Sequence, residues 1–142
     1  MTTVNFSISD EQLNELLSLY PNTGKNSDVG KLAVEVAKLY FLTLNAMTSF
    51  VTNKNGIDLT VEANGIIEKY EIKGTADKDI SWSKLKVSSQ NCHDHLVNGM
   101  TLIRITNIGS TAMTFHFLKY QEDFELIPEP RWSVVRTKKT TV

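Results

Sequence analysis

Apolar and polar side chains alternate in two segments of the chain, on either side of an Asn-Gly pair. The first segment spans 57–63 and the second spans 66–73. An Asn-Gly pair between such segments predicts a two-residue type I′ turn, because both central residues of that turn need a positive φ. A turn of this length pairs Ala63 with Ile66. The pattern therefore predicts a β-hairpin with a defined register.

That register sorts the hairpin side chains onto two faces. Successive strand residues point to opposite faces, so Asp58 is expected opposite Glu71, and Lys73 follows on the same face. The other face is apolar apart from Glu68 and consists of Ile57, Leu59, Val61, Ala63, Ile66, Tyr70 and Ile72. One face of the hairpin should join the core. The other should bring two carboxylates and an amine together.

Two carboxylates in this arrangement need a cation nearby. Cross-strand neighbours have Cβ atoms about 4.5–5.5 Å apart, and like charges at that distance are destabilising. One interpretation is a solvated hairpin face on which Lys69 and Lys73 neutralise the acids. The other is a site for Mg²⁺ or Mn²⁺, since Mg²⁺ binds one or two carboxylates together with waters and phosphate oxygens. The carbonyl of Ile72 would add a ligand, and Lys73 would orient the attacking water.

Apolar periodicity predicts further elements along the whole chain. Ser9 and Gln12 have the spacing of a capping box and open a helix over 8–20. A second helix, apolar almost all round, runs from 27 or 28 to about 45. The remaining elements are a strand at 48–52, an extended basic stretch at 80–87, a helix from 88 or 89 to 97, and strands at 100–106 and 113–120. This order predicts an α/β or α+β fold with a central mixed β-sheet flanked by helices.

Asp58 followed by Glu71-Ile72-Lys73 resembles the signature of the PD-(D/E)xK restriction-endonuclease-like superfamily, in which an Asp on one strand and an E-x-K on the next bind the metal. The stretch 29–130 resembles the C-terminal domain of NO VEIN-type proteins, a branch usually placed in that superfamily. The matching pieces are Gly30-Lys31-Leu32-Ala33-Val34-Glu35, Gly56-Ile57-Asp58-Leu59, Tyr70-Glu71-Ile72-Lys73-Gly74-Thr75, Lys86-Val87-Ser88 and Leu102-Ile103-Arg104-Ile105-Thr106-Asn107.

The resemblance implies a restriction-endonuclease-like core and a Mg²⁺-dependent nuclease that acts on DNA. It also implies a homodimer and a restriction or defence setting. It carries metal binding over to Asp58, Glu71 and the carbonyl of Ile72, and catalysis to Lys73. Gln90 resembles the glutamine that several nuclease branches place after the E-x-K. Asn91, the next residue, departs from the acidic residue that is more usual at that position.

Glu35 is a further candidate on the second helix. In the related nucleases a glutamate on this helix often approaches the metal, so the resemblance implies an assisting role. The residues themselves leave an alternative, because Glu35 is also spaced to form surface ion pairs with Lys31 and Lys38.

Composition limits the number of domains, the presence of membrane spans and the compartment that we expect for this chain. Its 142 residues, 41% of them hydrophobic, suit a single domain, with a helix over 8–20, a core over 28–130 and a basic tail over 131–142. No segment approaches the roughly 18 apolar residues of a membrane span, and the first residues lack the pattern of a signal peptide. A cytoplasmic protein is therefore expected. Its one cysteine, Cys92, excludes an internal disulfide.

The net charge of −1 is the main argument against a nucleic-acid-binding protein, because phosphate contacts normally need an excess of Lys and Arg. The charges are segregated, however. Residues 121–129 contain acids and no base, and 131–142 contain bases and no acid, while Lys78, Lys84 and Lys86 form a basic segment after the hairpin. A second hypothesis therefore stays open: a non-catalytic, nuclease-like module that binds nucleic acid or protein.

Two other groups of residues are candidates for chemistry. In the run 92–95, Cys-His-Asp-His, only Cys92 and His95 share a helix face, and a structural zinc needs four ligands. We therefore expect Cys92 to pack inwards with Leu96 while the histidines lie at the rim. Trp82 and Trp132 are interpreted as packing residues, with base stacking as the alternative.

Overall fold

The computed structural model describes residues 1–21, 26–130, 132 and 134–137. Within these residues the strands are Thr2–Ser7 (β1), Ser49–Lys54 (β2), Ile57–Ala63 (β3), Ile66–Gly74 (β4), Thr101–Thr106 (β5) and Ala112–Leu118 (β6). The helices are Asp10–Leu19 (α1), Asn26–Leu44 (α2) and Gln90–Val97 (α3), with a short 3₁₀ turn at Trp82–Lys84. The strands form one sheet in the order β1-β6-β5-β4-β3-β2. Only β4 and β5 run parallel among the described pairs, so the predicted central mixed sheet flanked by helices is confirmed.

The hairpin formed by β3 and β4 has the predicted register. Its turn residues at 64–65 have φ values of 54° and 76°, which are the conformations that an Asn-Gly turn supplies. Ala63 pairs with Ile66, and the ladder continues to Leu59 opposite Tyr70. The local turn signal therefore sets which side chains of β3 and β4 share a face.

The helix ends also follow local signals. Ser9 and Gln12 form the predicted capping box at the start of α1, and the side chain of Ser89 accepts a hydrogen bond from the backbone N–H of Cys92 at the start of α3. Gly99 follows α3 with a φ of 105°, a conformation that favours glycine.

The first strand was missed in the sequence pattern. The predicted helix over 8–20 begins two residues later, and residues Thr2–Ser7 before it form β1, an edge strand antiparallel to β6. Val4 and Phe6 alternate with polar residues as a strand requires, and both pack against the main core. A stretch this short at the start of the chain gives little periodicity until its distant partner is known.

The sheet has an apolar core on each face, and adjacent residues of β5 show the division. Ile103 packs with α1 and α2, whereas Leu102 packs with α3. The first core includes Leu32, Ala33, Val36, Leu59, Tyr70, Ile72, Ile105, Met113 and Phe115. The second is smaller and includes Ile57, Cys92, Leu96, Met100 and Leu118. Cys92 and Leu96 thus pack inwards as predicted.

Some predictions fall outside the described residues. These concern the basic tail, in which the basic residues at 131, 138 and 139 are not described. Among the described helices, none is long and apolar enough to cross a membrane.

Candidate functional site

Asp58 and Glu71 form a bonded pair of acids at the end of the β3–β4 ladder. They lie one position beyond the last paired residues, Leu59 and Tyr70, and their carboxyl groups are hydrogen-bonded to each other. Asp58 Oδ2 also accepts a hydrogen bond from the backbone N–H of Ile72 at 2.8 Å. This contact fixes the orientation of Asp58 at the point where the regular ladder stops.

Glu71 lies behind Asp58 and beneath α3. Its exposed fraction is 5%, and its carboxyl group accepts a hydrogen bond from the thiol of Cys92. Burial, and then the bond to Asp58, raise the pKa of Glu71 to about 8, while Cys92 and Lys73 oppose the shift. Burial also raises the pKa of the Cys92 thiol. Glu71 therefore keeps its proton at neutral pH.

Asp58, Ile72 and Lys73 line a cleft of about 830 Å³. The cleft opens where β4 continues beyond its last pair with β3 and is paired only with β5. Its walls come from the first half of α2, the end of β2 and side chains of residues 84–88. The predicted amine and one of the two predicted carboxylates thus face the same open space.

The cleft is basic although the chain as a whole is not. Among the described residues that line it, two are acidic, Glu35 and Asp58, and five are basic: Lys31, Lys73, Lys84, Lys86 and Arg104. Lys84 also pairs with Asp77 at 2.9 Å, and Lys86 pairs with Glu129. A cleft whose lining contains more basic than acidic residues attracts phosphate groups.

Arg104 is a site residue that the sequence analysis did not single out. It pairs with Lys73 in the parallel register of β4 and β5, and its exposed fraction is 3%. Its Nε donates to the carbonyl of Ile80 at 2.8 Å and its Nη1 to the carbonyl of Gly74 at 3.2 Å. A buried charge needs such partners. Arg104 therefore ties the basic stretch after the hairpin to the end of β4.

The remaining predicted site residues divide into one inside the cleft and one outside it. Glu35 lines the same cleft as Asp58. It also forms an ion pair with Lys38 at 3.0 Å, as the alternative of a helix-surface ion pair predicted. Gln90 is exposed, and its amide donates to Asp94 at 2.8 Å within α3. Gln90 is not among the described residues that line the cleft.

The acid pair has the donor chemistry of a magnesium site. Within the described part of the chain, no group of three or more His, Cys, Asp and Glu residues could hold a metal, so the available ligands are two carboxylates and backbone oxygen. The N–H and C=O of a strand residue point to the same side, so the Ile72 carbonyl lies on the same side of β4 as the N–H that donates to Asp58. The side chains of Asp58 and Glu71 and the Ile72 carbonyl all offer oxygen ligands, the kind that a hard cation such as Mg²⁺ prefers.

The two tryptophans do not pack in a core. Trp82 is 48% exposed and Trp132 is 95% exposed, so their interpretation as packing residues is wrong. Neither residue had a strong periodic pattern around it that would distinguish a buried position from an exposed one.

In comparisons with known proteins, no protein-family model, no curated protein and no solved structure matches this chain.

Proposed function

We propose that the chain is a Mg²⁺-dependent nuclease of the PD-(D/E)xK type, which hydrolyses phosphodiester bonds in DNA; Mn²⁺ would serve in place of Mg²⁺. One observation carries the proposal: Asp58 and Glu71 are bonded to each other on neighbouring strands, and Lys73 follows Glu71 into a basic cleft. An acid and an amine that line a phosphate-attracting cleft, with a second acid buried directly behind the first, suit phosphodiester hydrolysis.

Asp58, Glu71 and the Ile72 carbonyl are the groups that would hold the metal. When bound, the metal neutralises charge that develops on the phosphate oxygens and activates water. Because the raised pKa keeps Glu71 protonated, Glu71 would have to release its proton to serve as a metal ligand. Since Ile72 holds Asp58 in place through its backbone N–H at 2.8 Å, the chain itself orients the carboxylate that faces the cleft.

Lys73 is proposed to position the attacking water. Its ammonium lines the cleft beside Asp58 and shares a sheet face with Glu71. The water oxygen attacks phosphorus in line and gives up one proton to solvent, one phosphorus–oxygen ester bond breaks, and the leaving oxygen takes up a proton, so one water molecule is consumed. The positive charge of Lys73 stabilises the additional negative charge on the phosphate in the transition state.

Other basic residues of the cleft are proposed to hold the flanking phosphates. Lys84 and Lys86 line the cleft on its outer wall and are exposed, whereas Arg104 is buried. Phosphates would compete with Asp77 and Glu129 for the two lysines. Binding at these positions fixes the strand relative to the acids, which is the positioning that hydrolysis needs.

The biological setting is proposed from the resemblance to NO VEIN-type domains. It comprises DNA as substrate, a homodimer and a role in restriction or defence. A cytoplasmic location fits the single cysteine, because Cys92 is an unpaired and buried thiol and disulfides are rare in that compartment.

A second candidate is a nuclease-like module that binds nucleic acid without cleaving it. The burial of Glu71, at 5% exposure, and its bond to Cys92 favour this alternative. In a module, these contacts would simply satisfy a buried acid.

Cleavage assays separate the two candidates. Plasmid and single-stranded DNA are incubated with the protein and Mg²⁺, Mn²⁺ or EDTA. We expect metal-dependent cleavage that is lost in Lys73→Ala and Glu71→Gln. Lys69→Ala should retain it, because Lys69 is on the same strand and face but is exposed and outside the lining of the cleft. DNA binding without cleavage under any metal would identify the module.

A further inference from the structure

A second pocket, of about 500 Å³, lies on the same side of the sheet as Lys73 and Arg104. Its floor includes His116 on β6, which pairs directly with Arg104 on β5. Its rim includes Trp82 and Lys78 from the basic stretch after the hairpin. The proposed hydrolytic reaction uses none of the residues at this floor or rim.

Trp82 presents a large apolar surface at this pocket. It is 48% exposed, and within the described residues no other aromatic ring packs on it. An indole in that position leaves much of its apolar area in contact with water, which is unfavourable unless a ligand covers it.

The segment that carries Trp82 is tied down on both sides. Asp77 Oδ2 accepts hydrogen bonds from Ser81 Oγ at 2.6 Å and from Lys84 Nζ at 2.9 Å. The carbonyl of Ile80 accepts a hydrogen bond from Arg104 Nε at 2.8 Å. These contacts hold the indole at a defined place, so a ligand that stacks on it loses little entropy in ordering the protein.

His116 supplies a polar group at the floor of the pocket. Its Nε2 is 3.2 Å from the hydroxyl of Thr106, whereas its buried Nδ1 has no hydrogen-bond partner among the described residues. Burial, and then the neighbouring charge of Arg104, lower the pKa of His116, so its ring is neutral at neutral pH. The imidazole is therefore an uncharged polar group in the lining of the pocket.

The 3₁₀ turn at Trp82–Lys84 links the second pocket to the cleft. Trp82 at its start lines the second pocket, and Lys84 at its end lines the cleft. A basic path combined with an aromatic platform is the arrangement that binds single-stranded nucleic acid. In a duplex, by contrast, the bases are already stacked on each other.

We propose that the second pocket binds an unpaired nucleobase stacked on Trp82, so that the substrate is a nucleic acid with a single-stranded segment. This inference rests on the proposed function for the phosphate path through the cleft. The strand would run from the cleft along Lys84 to Trp82, with Lys78 beside the next phosphate and His116 at the edge of the base.

The test is a binding measurement in EDTA, so that cleavage plays no part. The probes are a dye-labelled oligothymidylate of about 12 nucleotides, an abasic strand of the same length, and a duplex. Since stacking contributes about 1–3 kcal/mol per base, Trp82→Ala should weaken oligothymidylate binding about 5-fold to 150-fold. Trp82→Phe should restore most of the affinity, because a phenyl ring also stacks.

Two controls make the result specific to a stacked base. Trp132→Ala, which removes the more exposed tryptophan, should leave the affinity unchanged. The abasic strand, which keeps its phosphates, should bind wild type and Trp82→Ala equally well. Circular dichroism confirms that each variant is folded.

Three results would overturn the inference: equal affinity of wild type and Trp82→Ala for oligothymidylate, an equal loss with the abasic strand, or no binding of the single strand at all. Failure of the nuclease proposal looks different. In that case Mg²⁺ produces no cleavage, while Trp82-dependent binding in EDTA persists.

Discussion

The two faces of the sheet are built from the same strands but differ sharply in chemistry. The face covered by α1 and α2 is apolar, and its centre is a group of aromatic rings in which Phe6 and Tyr40 contact Phe115. The face covered by α3 holds Glu71 and Arg104, both almost fully buried. The first face supplies most of the hydrophobic stabilisation. The second carries buried charge, which opposes folding unless it is compensated.

Strand β5 shows how one segment serves both faces. Ile103 and Ile105 point towards α2, while Leu102, Arg104 and Thr106 alternate with them. All five side chains are buried. The buried charge of Arg104 distinguishes the second face from the apolar first face.

The largest expected effect is on the apolar face. Phe115→Ala removes a fully buried ring and should lower the free energy of unfolding by about 3–5 kcal/mol. Denaturant titration measures this, with the exposed Leu44→Ala as a control that changes it by less than about 0.5 kcal/mol. A decrease below about 1 kcal/mol in Phe115→Ala would show that this face is not the main source of stability.

On the α3 face we expect a loss of activity without a comparable loss of stability. Lys73→Ala should slow DNA cleavage about 10²–10³-fold, the usual cost of one stabilising charge in a transition state. Its free energy of unfolding should change by less than about 1 kcal/mol. Single-turnover cleavage and denaturant titration are compared with Lys69→Ala. Parallel losses of cleavage and stability would mean that Lys73 acts through the fold.

The raised pKa of Glu71 predicts a pH dependence of stability. The folded chain keeps the Glu71 proton up to about pH 8, whereas the unfolded chain releases it near 4.5. Because the folded state binds more protons in this window, stability falls as pH rises from 4.5 to 8. The difference in Tm between Glu71→Gln and wild type should therefore shift by a few degrees in favour of the variant as the pH rises through this range. If plots of Tm against pH for the two proteins were parallel, they would contradict the assigned pKa.

The smallest expected effect concerns the outer wall of the cleft. Replacing Lys84 and Lys86 by Ala should make DNA binding less dependent on salt. In a plot of the logarithm of the binding constant against the logarithm of the salt concentration, the slope should become shallower by about 0.7–0.9 for each phosphate that is no longer neutralised. Lys54 and Lys69, which are exposed and outside the lining, provide the matched double variant. Equal slopes for the two double variants would show that the cleft is not the phosphate path.

The sequence predicted those parts of the fold that local chemistry determines. The Asn-Gly turn at 64–65 fixed the pairing of Ala63 with Ile66, and from this register followed the meeting of Asp58 with Glu71. Ser9 and Ser89 marked the helix starts for the same reason, since a cap bonds only to nearby backbone groups.

The features that were missed depend on distant partners. Strand β1 forms only because its register with β6 joins residues such as Val4 and Phe115. Arg104 becomes a site residue only when the parallel pairing of β4 and β5 sets it beside Lys73. The wall of the cleft likewise combines α2 with residues 84–88, and no local periodicity relates those segments.

The most direct test of the central claim is a titration of Mn²⁺ into the wild-type protein and Asp58→Asn, followed by calorimetry or by the electron paramagnetic resonance signal of free Mn²⁺. We predict one bound ion per chain in the wild type and no bound ion at the same concentrations in Asp58→Asn. Equal Mn²⁺ binding by the two proteins, or none by either, would contradict the claim that the Asp58–Glu71 pair is a metal site.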